Sequence, residues 1–195
     1  MYGVVNNAVQ EFVLESQGMN IWLAIKEKAG LELELESFNS MQSYPDEITY
    51  NLVAAASEIL DLPAEVILEE FGKHWIKYAS NLKGHSHYFR LGDEGFYGFI
   101  RNLDRMHLNI TRTYSELQPP SFLAEKVSEN ELLLKYYSNR DGLRPFVKGL
   151  LLGLGTYFGL QIKVESDPRT VEELGGFSLF KVSKYPPVKP EALKR

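Results

Sequence analysis

A single histidine and a short hydroxyl–guanidinium motif offer the most chemistry in this chain. His107 lies in an amphipathic stretch with Leu103 four residues before it and Ile110 three after, so the three share one helix face. A histidine on an apolar face is either a hydrogen-bonded core residue or a ligand. As a ligand, one imidazole nitrogen would face an apolar cavity, which suits a haem iron better than a solvated ion. Tyr136, Ser138 and Arg140 stand at i, i+2 and i+4 of a segment that reads as strand, and so point to one side. They could grip a carboxylate, the guanidinium bidentately, or they could form the solvated face of an antiparallel strand.

The other candidates are weaker. His85 and His87 form a His-x-His pair in a polar loop but lack an adjacent third ligand, so a solvated loop is the simpler reading. His74, beside Trp75, reads as a boundary residue of a helix. The run Gly153, Gly155, Gly159 has neither the spacing, nor the preceding strand, nor the following acid of a dinucleotide fingerprint, and reads as close-packing positions on a buried helix. The chain carries no P-loop and no nucleophile elbow, and pairs such as Glu69-Glu70 and Glu172-Glu173 read as solvated faces. Nothing here reads as an enzyme active site.

The elements that must position these residues follow from periodicity. Val4, Val5, Ala8, Val9, Phe12 and Val13 make a helical stripe that Gly18 ends. A second helix runs from about Asn20 to Ala29, stopped by Gly30. Asp46 is placed to cap a third helix through LVAAASEIL, and Asp61-Leu-Pro-Ala-Glu65 to cap a fourth that runs to Gly84. Asp93 opens a fifth through FYGFIRNLDRMHLNITRTY, ending before Pro119-Pro120. Then SFLAEKVSE and NELLLKYYS read as strands, Gly142–Phe158 as a helix, and LQIKVES and FSLFKVSK as two more strands. The fold class is α+β: helices first, then an antiparallel sheet interrupted by one long helix.

Composition sets the outer limits. The 195 residues suit one domain or two small ones sharing an interface, and a net charge of −5 disfavours a general nucleic-acid binder. With no cysteine, disulfide scaffolds, cysteine zinc sites and thiol catalysis are excluded. No apolar run reaches membrane length and no leader pattern opens the chain, so a cytoplasmic protein without a membrane partner is expected.

Taken in order, MYGVVNNA, LVAAASEIL, EVILEEFGKHW, NLDRMHLNIT, PPSF and YYSNR followed by a Gly-rich helix resemble the haem nitric oxide/oxygen binding (H-NOX) family over about residues 1–184. This is the sensor domain of soluble guanylate cyclase and of stand-alone bacterial proteins. The family's Y-x-S-x-R motif stands intact as Tyr136, Ser138 and Arg140, with His107 about 30 residues upstream of the arginine. The resemblance implies one domain, with a distal helical subdomain at about 1–62, a proximal subdomain at 63–184 and a flexible tail at 185–195. It implies haem b (iron protoporphyrin IX), with His107 as proximal iron ligand and Tyr136, Ser138 and Arg140 on the propionates. Pro120 matches the proline that presses on the porphyrin.

Some members of the family donate a hydrogen bond to dioxygen from a distal tyrosine. Here that position falls at Phe146, within one residue, and Tyr157 lies about 16 Å further along the helix. Val5, Val9 and Phe146 would complete an apolar distal cavity. The expectation is therefore a sensor of NO and CO that forms little stable dioxygen complex. Trp75 matches a variable distal position, and its indole N–H could donate if it points inward, which gives a dioxygen sensor as the alternative. On the leading reading, loss of the bond to His107 releases its helix and lets the porphyrin flatten against Pro120, with Gly72 either a hinge or a simple close-packing residue. The signal would pass to a histidine kinase or a cyclic-nucleotide or cyclic-dinucleotide enzyme, the chain itself not being an enzyme. A haem-free interaction module and a small-molecule enzyme are the readings that intact His107 and Tyr136–Arg140 count against.

Overall fold

Apolar residues recurring every three to four positions fold the first part of the chain into helices, and alternating ones fold the last part into strands. The computed structural model describes residues 1–32, 36–82, 88–89 and 95–185. His85, His87, the helix stop at Gly84, the start at Asp93 and the tail after Tyr185 lie outside these. The helices are α1 (Gly3–Gln17), α2 (Met19–Lys28), α3 (Asp46–Leu60), α4 (Ala64–Asn81), α5 (Gly95–Arg101) and α6 (Leu103–Ile110). Strands β1 (Ser121–Ser128) and β2 (Glu131–Tyr137) follow, then α7 (Arg144–Tyr157), β3 (Ile162–Ser166) and β4 (Ser178–Lys184). The sheet is antiparallel in the order β1-β2-β4-β3. This is the α+β order the sequence implies.

Three local expectations are corrected. Pro45, not Asp46, occupies the cap position of α3, and the Asp46 carboxylate is used elsewhere. Asp61 does not cap α4. It closes α3 in the left-handed conformation at φ 50°, and Pro63 precedes α4. The helix expected to run unbroken through residues 96–114 breaks at Asn102. There the side-chain amide donates to the Gly98 carbonyl at 2.8 Å and competes with the backbone ladder.

Two apolar cores result. Ala8, Val9, Val13, Trp22, Ile25 and Leu52 anchor the first, which reaches Ile67 and Phe71 of α4. Leu134, Phe180, Val182, Ile100, Leu151 and Leu154 anchor the second, which reaches Ile76 and Ala79 of the same helix. Trp75 packs against both, so α4 is the shared wall. It crosses α7 at a glycine contact: a Cβ on Gly72 would collide with the Phe146 carbonyl, and one on Gly149 with the Glu69 carbonyl. Of the two readings of Gly72, hinge and close-packing residue, the contact supports the second. Gly153 and Gly155 pack against Ile76 and Ile162, as their reading as packing positions requires, but Gly159 lies beyond the end of α7 at φ 66° with nothing within 4 Å of where its Cβ would be.

Candidate functional site

Between the two cores lies a cavity of about 780 Å³. Its walls come from α1 (Val4, Val5), α4 (Trp75, Ile76), α6 (Met106, His107), the Pro119-Pro120 turn and α7 (Phe146, Leu150). The pleat of β2 turns Tyr136 inward, and the bend after the strand brings Ser138 and Arg140 to the same cavity. Eight of the nine residues singled out in the sequence line it: Val5, Trp75, His107, Pro120, Tyr136, Ser138, Arg140 and Phe146. Val9 does not, because it lies one helical turn further along the same face of α1, buried in the first core. Tyr157 is not among the lining residues either, and packs on Phe89 and Phe158 at the surface.

His107 projects from α6 beside Phe122, ring centroids 5.9 Å apart. Its Nδ1 is buried and has no hydrogen-bond partner. Burial holds the imidazole pKa below the ordinary histidine value, against the opposing pull of the Asp104 carboxylate and a hydrogen bond to the Pro120 backbone. The ring is therefore neutral and able to offer a lone pair. A buried, unpaired ring nitrogen in an apolar cavity costs free energy and calls for a partner. Among the described residues no group of three or more His, Asp or Glu could hold a metal ion. An ion bound here through a single imidazole would have to bring most of its own ligands, as an iron in a porphyrin does.

The helix bearing His107 is pinned one turn earlier. Asp104 accepts from the Ser121 hydroxyl at 2.5 Å and from the Phe122 N–H at 2.8 Å, which ties α6 to the start of β1 immediately after Pro120. Sequence reasoning gave Asp104 no role. Its signal was an acid one helical turn before the histidine, facing a segment whose first N–H groups begin a strand edge.

At the polar end of the cavity, Arg140 donates through Nε to the Asp46 carboxylate at 2.6 Å and through Nη1 to the Gln118 carbonyl at 2.9 Å. Its N–H donates to the Ser138 hydroxyl. Burial raises the pKa of Asp46, but the Met1 amino group and Arg140 outweigh it and hold the carboxyl below its usual value. Burial likewise raises the Tyr136 phenol, with the Ser138 hydroxyl and the Arg140 charge opposing. Arg140 thus already grips a carboxylate in this structure. Asp46 was missed as a site residue because its partner stands 94 positions away in the chain.

On the opposite wall the lining is apolar. Phe146 stacks on Phe71 at 5.2 Å, and Trp75 meets Phe71 and Tyr78 edge-on and tilted. Tyr2 and Tyr44 also line the cavity, but their hydroxyls accept from the N–H groups of Glu116 and Asn39. No described helix is long and apolar enough to cross a membrane.

Comparison with known proteins gives a consistent picture. Residues 2–166 match the Haem-NO-binding (HNOB) family. The chain is 30% identical over 173 residues to soluble guanylate cyclase gcy-34 of Caenorhabditis elegans, which covers 87% of this chain and 25% of that protein. It is 26% identical over 164 residues to soluble guanylate cyclase 89Da of Drosophila melanogaster, 84% of this chain and 24% of that one. The chain thus spans about a quarter of the length of these curated relatives. Among solved structures, an H-NOX protein from S. oneidensis in the Fe(II)NO state superposes with a TM-score of 0.83 at 21% identity, covering 95% of this chain and all of the other. The oxygen complex of an oxygen-binding H-NOX domain related to soluble guanylate cyclases superposes at 0.77 and 22% identity, covering 97% of each.

Proposed function

This chain belongs to the Haem-NO-binding family, and we propose on that basis that it senses NO, with CO as a second ligand, at a ferrous haem b in the cavity between its two cores. The observation that carries the reading is the buried, unpartnered nitrogen of His107 in an apolar cavity with carboxylate-gripping donors at one end. The family is one of haem-based sensor domains, regulatory rather than catalytic.

The residues fit the group in size, polarity and donor set. A cavity of about 780 Å³ is large for a lone ion and within the range of cofactor pockets. His107 would hold the iron from below, and Tyr136, Ser138 and Arg140 would donate to the propionates, Arg140 exchanging its present partner Asp46 for them. The haem, when bound, supplies a ferrous iron that takes a diatomic gas. Everything else is the work of the chain. Pro120 would bear on the group from the cavity wall, and Asp104 keeps α6 in register with β1. When His107 is no longer held, α6 is tied to the rest of the molecule only through Asp104 and its packing. The helical core and the sheet-bearing core that meet at α4 would then be free to adjust.

The gas preference rests on the far wall. The fold is shared with one neighbour seen with NO and one seen with oxygen, so the lining has to discriminate. Val5, Phe146 and Leu150 carry no donor, and bound dioxygen gains most from a donor while NO depends on one less. A dioxygen-binding reading remains specific to Trp75, which lines the same cavity and carries an indole N–H. The receiver of the signal would be a cyclase, a histidine kinase or a cyclic-dinucleotide enzyme. The test is a Phe146→Tyr substitution in the reduced protein. On this account the parent shows no stable spectral change in air and the variant gains one; a parent that already forms a stable oxygen complex, abolished in Trp75→Phe, would establish the alternative instead.

A further inference from the structure

Helices α1 and α4 meet around a histidine that does not line the cavity. The side chain of His74 is 8% exposed, and its Nε2 is buried without a hydrogen-bond partner. The ring lies against Phe12 of α1, centroids 5.4 Å apart, and stacks on Tyr78 of α4 at 6.3 Å. Two carboxylates of α1 stand just out of bonding range, one at each ring nitrogen. Glu11 Oε1 is 3.7 Å from Nε2, and Glu15 Oε2 is 3.8 Å from Nδ1. Lys77 of α4 holds Glu15 beside the ring at 2.6 Å. Among the described residues, α3 and α7 bring no ion pair to it: Glu58 pairs with Lys28, and Lys148 with Glu69. The charged and titratable groups that face His74 are therefore Glu11, Glu15, Lys77 and the Tyr78 phenol.

Both helices also wall the cavity. Val4, seven residues before Glu11 and eleven before Glu15, shares their face of α1 and lines the cavity. Trp75, next to His74 on α4, lines it too. A neutral imidazole carries one N–H; an added proton makes both nitrogens donors, each facing its own carboxylate. Charge-assisted N–H···O bonds close to about 2.7–2.9 Å, so the closed contacts draw α1 toward α4 by about 1 Å. Burial keeps the imidazole pKa below its ordinary value, against Glu15 and together with Lys77, so the proton arrives only below about pH 6.5. Glu15 is ionised there, because the hydrogen bond from Lys77 holds its pKa below the usual carboxylate value.

We propose that His74, Glu11 and Glu15 form a proton-operated latch between α1 and α4 that narrows the cavity when it closes. Closing brings Val4 and Trp75 together and lowers the affinity of the pocket for a diatomic gas. His74 is a positioning residue: it acts through its neighbour Trp75 and through α1. The effect on gas rests on the haem reading of the cavity; the latch between the helices does not.

The test follows two signals of the full chain between about pH 7.5 and 5.5. One is the nitrogen-15 NMR signal of the Trp75 indole, assigned with W75F, in the haem-free protein and in the diamagnetic ferrous CO complex. The other is CO affinity. The Trp75 signal should move with the same midpoint as the His74 ring protons, and CO affinity should fall about fivefold toward the acid end. By reciprocity, CO should make His74 harder to protonate by the same factor. His74→Gln and E11Q/E15Q should each flatten both responses, whereas a merely structural role would shift affinity equally at every pH. The two glutamates are half exposed, so E11Q/E15Q keeps the test open should His74→Gln fail to fold. Acid effects on His107 are common to parent and variants and cancel in the comparison. A Trp75 signal that stays put while the His74 ring titrates, CO affinity indifferent to pH, or a response preserved in E11Q/E15Q would overturn the proposal. A pH-responsive Trp75 signal in a protein that takes up no haem would support the latch and condemn the haem reading alone.

Discussion

The Nδ1 of His107 is buried without a hydrogen-bond partner while burial holds the imidazole pKa below its ordinary value, which is costly unless something takes the nitrogen's lone pair. Substituting His107→Gly should abolish the native haem spectrum, and added imidazole should restore haem while leaving α6 unattached. An NO response of unchanged output in that rescued variant would contradict the proposed coupling. Arg140→Ala removes a charged donor worth roughly 1.5–3 kcal/mol. Transfer of haem to a scavenger globin should then speed up about tenfold or more. His74 makes a separate point. Burial holds its pKa below the ordinary value, with Glu15 opposing and Lys77 reinforcing the shift, and its Nε2 lies unpaired 3.7 Å from Glu11. Below about pH 6.5 the unfolded chain therefore binds a proton at this residue that the folded chain resists. Stability is lost as pH falls through that window, and thermal unfolding of His74→Phe should show a flatter slope there. At this scale His107 and the Tyr136–Arg140 motif were legible because each is local. Asp46 and Val9 were not: one depends on a partner in a distant segment, the other on how far along α1 the cavity reaches.

Among the elements, α4 and α7 carry most of the consequence. They approach closely enough that Gly72 and Gly149 have no room for a side chain, and they bring Trp75 and Phe146 to the same wall. Gly149→Ala should force the pair apart at a cost of about 1–3 kcal/mol in thermal or urea unfolding, with the distal wall displaced along with it. A variant as stable as the parent would mean that the crossing is looser than the backbone contact implies. The sequence revealed both helices and all four strands through their periodicities. It did not reveal the break at Asn102, because a single side-chain bond to Gly98 sets it inside an otherwise continuous helical pattern. Nor could it tell a hinge glycine from a packing glycine at Gly72, since that depends on what the fold places opposite.

For the molecule as a whole, the account requires two cores that meet at α4 with a cavity between them that is apolar on one wall, imidazole-bearing on the other and cationic at one end. The family resemblance in the sequence anticipated that arrangement, and the fold shared with H-NOX structures supplies the scaffold. Gas choice is not a property of the scaffold. On the proposed reading it would belong to a few side chains of the cavity's apolar wall, Phe146 and Trp75 among them. The measurement that bears most directly on the central claim is the absorption spectrum of the reduced, haem-loaded protein under nitrogen, air and NO. The account predicts a five-coordinate ferrous Soret band that is unchanged in air and shifts with NO. A protein that takes up no haem, or one whose band moves to a stable new position in air, would contradict it.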